Sequence, residues 1–369
     1  MNPPVLVISN IDWAFVWQRH QTVASLFARE HNVIFCEIPG LRRVTWRDAG
    51  RVLGRFRRVA GRNGGTEPVP DRITILRPFV LPATNAVFCA LNRWLIARFV
   101  RRTPALQSVG TVVAYSPTCT TRQLLECVRH GPVVYDCTDD WGSVAGIPAR
   151  LPADERWLLA TADLTLVPSR RLEELKRPDA RRLVRLPHGA FVERFLVEAR
   201  PVADPGRLTV LYYGHLHSQH LDFAAIAALA RARPGWRVIL VGPVKTPFAF
   251  PGNVELPGQQ PHERLREWIA SADALLLPYA LNPYTEAVMP AKTYECLATG
   301  RPIIATPLPE LVAGFSGHMT FAAPGEDWAA AVERAVRTDA PDARSARIAL
   351  AKDNSWAERF ARLCELLAG

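Results

Sequence analysis

Short apolar runs recur along this chain, each ending in a polar or glycine-bearing loop and followed by a stretch with helical spacing. Val5–Ser9, Val33–Cys36, Ile73–Leu76, Val112–Ser116, Val133–Asp136, Ala162–Ser169 and Leu183–Leu186 make a first series. Arg200–Arg207 holds two prolines, an aspartate and a glycine, and reads as a linker. The pattern then restarts with Leu208–Tyr213, Trp236–Val241, Val254–Leu256, Ala274–Leu277, Pro302–Thr306 and Phe321–Pro324. Strands this apolar need cover on both faces, and helices between them supply it. The expected class is α/β, with two parallel sheets in separate domains. A length of 369 residues suits two domains, and 49% hydrophobic residues suffice for two cores.

Open sheets of this kind bind ligands beyond the carboxyl ends of their strands. Asn282–Glu310 is the richest stretch there. Pro290 suits the start of a helix and Gly300 its end. The first-turn N–H groups at Ala291 and Lys292 would favour an anion, and Lys292 adds a charge. Glu295, one turn on, can accept hydrogen bonds from two hydroxyls. An anion beside a diol describes a nucleotide sugar. The alternative is an ordinary helix–strand unit with a Lys–Glu surface pair.

The run Pro290-Ala291-Lys292-Thr293-Tyr294-Glu295 through Thr306 resembles the donor-site signature of bacterial group 1-like glycosyltransferases of cell-surface polysaccharide synthesis. That resemblance implies the GT-B fold, with two Rossmann-like domains facing each other across a cleft. The domains would be residues 1–200 on the acceptor side and 201–341 on the donor side, with 342–369 crossing back. The donor would be a UDP- or GDP-sugar, with no cofactor and no metal. The donor set would comprise His188, Gly214, His215, His220, Lys245, Pro290, Lys292, Thr293 and Glu295. Asn10-x-Asp12-Trp13 with Trp17-Gln18-Arg19 resembles the amino-terminal loop of the same family, so Asp12, Trp13 and Arg19 would lie on the acceptor side.

Tyr135-Asp136-x-x-Asp139-Asp140-Trp141 resembles the family as well. Acidic groups this dense raise one another's pKa, which suits a general base acting on a sugar hydroxyl. Asp139 and Asp140 are favoured over Asp136; the plainer reading is a helix cap. Two departures matter. Many members of the family place Arg just after the glycine and Lys a few residues later, where the matching region here, His215 to Asp222, holds three histidines, among them His215 and His220. The family also spaces two glutamates so that the first would fall at Ala287, and Glu286 is one residue out of step. Retention or inversion therefore does not follow from the motif.

The net charge of +10 and pI near 9.6 come mostly from arginine, which suits phosphates or anionic lipid. Arg43, Arg47, Arg51, Arg55, Arg58 and Arg62 recur at helical spacing, as for a helix lying on a membrane; a solvated helix or loop is the other reading. Nucleic acid is not expected, for no helix-turn-helix, zinc-finger or RNA-binding pattern occurs. Val87, Phe88, Leu91, Trp94, Leu95 and Phe99 form a helical stripe expected to face the core, the alternative being a path for a lipid-linked acceptor. Seven scattered cysteines without C-x-x-C suggest a reduced compartment. No signal peptide or membrane span is expected, so the chain is read as cytoplasmic, at the inner face of the membrane. The partners are then the donor and a saccharide or lipid-linked acceptor. Two other functions share this fold: a nucleotide-sugar epimerase or hydrolase, and a non-catalytic partner subunit.

Overall fold

The computed structural model describes residues 3–15, 17–38, 69–144, 146–200 and 204–369. The arginine-rich stretch Leu41–Arg62 lies outside them. Two compact units are present, one formed by Met1–Leu186 with Leu363–Gly369, the other by Pro187–Arg362.

In the first unit β1 (Val5–Ser9), β2 (Val33–Glu37), β3 (Ile73–Leu76), β4 (Val112–Ala114), β5 (Val133–Asp136), β6 (Leu164–Val167) and β7 (Leu183–Arg185) form one sheet. Their order is β3-β2-β1-β4-β5-β6-β7, every pairing parallel. In the second unit β8 (Thr209–Tyr213), β9 (Arg237–Val241), β10 (Val254–Gly258), β11 (Ala274–Leu277), β12 (Ile303–Ala305) and β13 (Thr320–Phe321) form another. Their order is β10-β9-β8-β11-β12-β13, also parallel. The apolar runs thus become strands where the alternation places them.

Alternate strand residues serve opposite cores. Val210 and Tyr212 of β8 pack with Ile226 and Val332, while Leu211 and Tyr213 pack with Ile269 and Leu297. Each sheet is covered on both faces, as continuous apolar strands require. In each sheet the strand order reverses once, between β1 and β4 and between β8 and β11. Loops that diverge at such a reversal leave a crevice for a ligand.

Two expectations fail in the first unit. Helix Ala86–Arg102 does not turn its largest apolar residues inward: Cys89, Asn92, Ile96 and Val100 are buried, and Val87, Leu91 and Trp94 are exposed. Asn92 sets this rotation. Its Nδ2 donates to the Leu81 carbonyl at 2.8 Å and its Oδ1 accepts from the Leu81 N–H at 2.7 Å. Each buried polar group left unpaired there would cost about 1–3 kcal/mol, comparable to exposing an apolar side chain. Phe99 remains half-buried against the core. The second difference is a disulfide, where reduced thiols were expected. Cys89 and Cys119 bridge this helix to helix Cys119–Cys127, thirty residues apart in sequence.

Arg19 and Asp136 form a buried ion pair at 2.7 Å. It ties the start of helix Arg19–Phe27 to the end of β5. Removing one partner of such a pair costs about 3–5 kcal/mol, because the other charge stays buried. Arg19→Met is expected to destabilise the first unit by about that amount. Adding Asp136→Asn should recover part of the loss, as urea unfolding would read. An Arg19→Met protein as stable as wild type would contradict the pairing.

Candidate functional site

In the second unit the reversal point is framed by the loops after β8 and β11. The Asp222 N–H donates to the Pro278 carbonyl and the Ala280 N–H to the His220 carbonyl, each at 2.9 Å. β8 is followed by Gly214, and β9 by Gly242. Their φ values of 138° and 144° lie where side chains are rarely tolerated. A Cβ on Gly242 would sit 1.8 Å from the Gly214 carbonyl oxygen. The two glycines therefore let the loop backbones pass in contact.

Lys292 fills the space over Gly214. A Cβ there would lie 2.3 Å from Lys292 Cε and 2.6 Å from Nζ. The same ammonium is 5.6 Å from the centre of the Tyr212 ring, within cation–π range. Burial works against its charge, but Tyr212, Tyr279 and Glu295 outweigh this and raise its pKa. Lys292 is thus a fixed cation at the reversal point.

Helix Thr293–Ala298 is shorter than expected and starts later. Pro290 opens a turn instead, its carbonyl accepting from Thr293 N–H at 3.0 Å. Proline's fixed φ fits a turn as well as a helix start. So short a helix adds little dipole, and the positive field comes chiefly from Lys292. Thr293 is fully buried, and its Oγ1 has no partner among the described residues.

Glu295 is half-buried beside Lys292. Burial pushes its carboxyl up to about 7, against the opposing pull of Lys292 and a hydrogen bond from Tyr213. His215 is driven the other way, to about 4, by burial and then by Lys292, Lys245, His220 and His217. His220 is lowered by burial, His217 and Lys292. Its ring stacks between His217 and Tyr284, 5.2 Å from each. His215 and His220 are therefore neutral rings near pH 7, not cations. Lys245 is exposed, its N–H held by the Leu216 carbonyl at 2.8 Å.

The structure thus brings Gly214, His215, His220, Lys245, Lys292 and Glu295 together. His188 lies in the turn before Gly189, where a Cβ would meet the Trp356 N–H at 2.9 Å. Its carbonyl accepts from Arg359. Glu286 is exposed at the end of helix Pro283–Glu286, and the in-step Ala287 is buried.

Asp12, Trp13, Arg19, Asp139 and Asp140 belong to the first unit. Asp12 is exposed. Trp13 is buried with its ring edge-on to Phe35, and its backbone N–H donates to Glu37 Oε1 at 2.8 Å. Arg19 is committed to Asp136. Asp140 accepts from Gly142 N–H at 3.3 Å, capping a short turn, and lies 3.6 Å from Lys176. Asp139 accepts from Thr138 Oγ1 at 2.9 Å. Behind this loop Lys176 and Tyr135 hold Glu155, at 2.9 and 3.0 Å.

Sequence reasoning missed Tyr212, Tyr213 and Tyr279. Their signal was present: two end β8 and the third follows β11, the two strands that flank the reversal. Among the described residues no cluster of metal-binding side chains occurs.

Residues 207–338 match the family described as Glycosyl transferases group 1. Over 201 residues the chain is 24% identical to TuaH of Bacillus subtilis (strain 168), described as a teichuronic acid biosynthesis glycosyltransferase. That match covers 48% of this chain and 51% of TuaH, about half the relative's length. In fold, the chain is similar to sucrose-phosphate synthase from Thermosynechococcus elongatus, with a TM-score of 0.69 at 16% identity over 99% of this chain and 98% of that one. It is also similar to Anabaena HepE in complex with UDP and glucose, with a TM-score of 0.68 at 14% identity over 100% of both.

The Glu295 shift has a consequence for stability. A carboxyl raised from 4.5 to about 7 favours the protonated folded state. Its contribution is complete below the unfolded value and is lost as pH rises through the folded one. Glu295→Gln should therefore gain melting temperature relative to wild type between pH 4.5 and 7. A constant difference across that window would refute the assignment.

Proposed function

We propose that the chain is a bacterial group 1-like glycosyltransferase of GT-B fold that moves a sugar from a nucleotide-diphosphate donor to a saccharide or lipid-linked acceptor in cell-surface polysaccharide synthesis. The observation that carries this reading is the Lys292 ammonium seated on Gly214 at the reversal point, with Glu295 one helical turn away.

Lys292 is assigned to the donor diphosphate. Its charge is greatest in value as the leaving diphosphate gains negative charge, so it serves the transition state more than the ground state. Lys245 adds a second cation, and His215 and His220 can contribute only neutral hydrogen bonds or ring contacts near pH 7. In this reading protein cations and backbone amides meet the leaving group, without a metal. Glu295 is assigned to hydroxyls of the ribose or the sugar. Those hydroxyls would stabilise its carboxylate, whose pKa burial raises to about 7. HepE, whose structure holds UDP and glucose, makes a UDP-sugar the first donor to test and a GDP-sugar the second.

Asp139 and Asp140 are the candidates for general base, since Asp136 is held by Arg19. We place the acceptor on a lipid at the inner face of the cell membrane. No helix among the described residues is long and apolar enough to cross a bilayer, so membrane contact in this reading is peripheral.

A thermal-shift panel of UDP, GDP and their sugars tests the donor assignment, since a ligand that binds the folded state raises its stability with occupancy. Lys292→Met should weaken the stabilising nucleotide on the order of tenfold or more, the loss expected for a hydrogen bond to a charged group. An unchanged shift in that variant would remove Lys292 from the site. For the base, Asp139→Asn should keep the donor-induced shift but lose on the order of 10²–10⁴ in transfer rate. Transfer at the wild-type rate would rule Asp139 out.

A further inference from the structure

At the amino ends of β11 and β12, the end of the second sheet opposite the Gly214 loop, four arginines gather around the turn Gly300-Arg301. Arg301 and Arg347 are only 6% and 5% exposed. Arg301 Nη2 and Arg200 Nη1 both donate to the Ala270 carbonyl, each at 3.2 Å, so their guanidinium groups are neighbours. Arg344 lies over Gly300, where a Cβ would come within 3.0 Å of its Cζ. Arg347 donates to the Gly300 carbonyl at 2.7 Å. Two carboxylates answer these four cations: Asp273 lies 3.4 Å from Arg200, and Asp339 lies 2.6 Å from Arg347. Among the described residues Arg301 and Arg344 form no ion pair.

Carbonyls at helix ends seat these guanidinium groups, for Ala270 lies in the last turn of helix His262–Ser271 and Gly300 follows helix Thr293–Ala298. Those dipoles do not cancel two surplus charges. Burial, and then Arg200 and Arg344, lower the pKa of Arg301 to about 10. Arg301 Nε, Arg344 Nη1 and Arg347 Nε are buried without a hydrogen-bond partner among the described residues. Unpaired buried donors and uncompensated buried charge are each costly. One ligand with two negative charges and several acceptor oxygens would relieve both.

We propose that this cluster is a binding site for a phosphate dianion, free or as a phosphate monoester, held by Arg200, Arg301 and Arg344. Guanidinium groups present paired N–H donors that match phosphate oxygens. Arg200, whose side chain is 39% exposed, forms the mouth, and buried Arg301 the floor. The site is distinct from the proposed donor site, which lies at the other end of the sheet.

Thermal denaturation of the full chain carrying Lys292→Met tests the proposal, because that change weakens phosphate binding at the donor end. Sodium phosphate at about pH 7.5, where the dianion prevails, is compared with sodium chloride at equal ionic strength. Phosphate should raise the melting temperature, with a gain that follows the occupancy of one site. Arg200→Gln and Arg344→Gln should each weaken the apparent affinity about tenfold or more, the loss of a hydrogen bond to a charged group. Arg344→Gln breaks no ion pair and should melt like its parent without phosphate. Arg344→Lys keeps the charge but not the fork, and its affinity should fall between. Binding of glycerol 3-phosphate as tight as that of phosphate would assign the site to monoesters; phosphate alone would assign it to the free ion. Equal gains from phosphate and chloride would overturn the proposal, as would a phosphate gain unchanged in both glutamine variants. A gain present in wild type and lost with Lys292→Met would place the ion at the donor end instead. Failure of every nucleotide sugar to shift the melting temperature, with the phosphate gain intact, would sink the transferase reading and leave this site standing.

Discussion

The ammonium of Lys292 lying on the backbone of Gly214 is the contact from which the second unit's loop geometry follows. A half-buried cation needs compensation, since removal from water disfavours charge. Here it comes from the Tyr212 ring, from Tyr279 and from Glu295. The side chain can reach the strand end only because position 214 has no Cβ, and Gly242 lets the next loop pass behind. Strand end, glycine pair and lysine thus form one chain of cause. Its product is a positive charge where two parallel strands part.

Electrostatics at that point differ from what the residue types suggest. Three histidines lie on the loop after Gly214, yet burial and neighbouring cations hold His215 and His220 in the neutral form. Charge is concentrated on the lysine rather than shared. Glu295 is poised near neutrality for the opposite reason, since burial outweighs the attraction of Lys292. In the first unit three neighbouring carboxylates are likewise separated by their partners. Asp136 neutralises Arg19, Asp140 caps a turn, and Asp139 meets Thr138. An acidic run that reads as one feature in the sequence does three different things in space.

Much of the fold was legible because its signal is local. Unbroken apolar runs between helical stretches leave few alternatives to parallel sheets covered on both faces. The glycine before His215 and the Lys292–Glu295 spacing were legible for the same reason. Pro290 misled, because its restricted φ serves a turn and a helix start equally. Other contacts join distant residues and left no mark in any window. Arg19 and Asp136 stand 117 positions apart, and Cys89 meets Cys119 only because two helices pack together.

The residues of helix Ala86–Arg102 show where the division falls. That this stretch is helical, amphipathic and basic is a property of its own side chains, and needs no other part of the chain. Which face it turns inward is not, because the two faces compete. Apolar area favours burying Leu91 and Trp94, whereas the backbone of Leu81 offers Asn92 two hydrogen bonds that water would otherwise supply. Element type and order, and the residue types available at the strand ends, were thus set by the sequence acting over short range. The helix rotation, the tyrosines around Lys292 and the ionisation of Glu295 and the histidines were decided by tertiary packing, because burial and pairing energies exist only once distant segments meet.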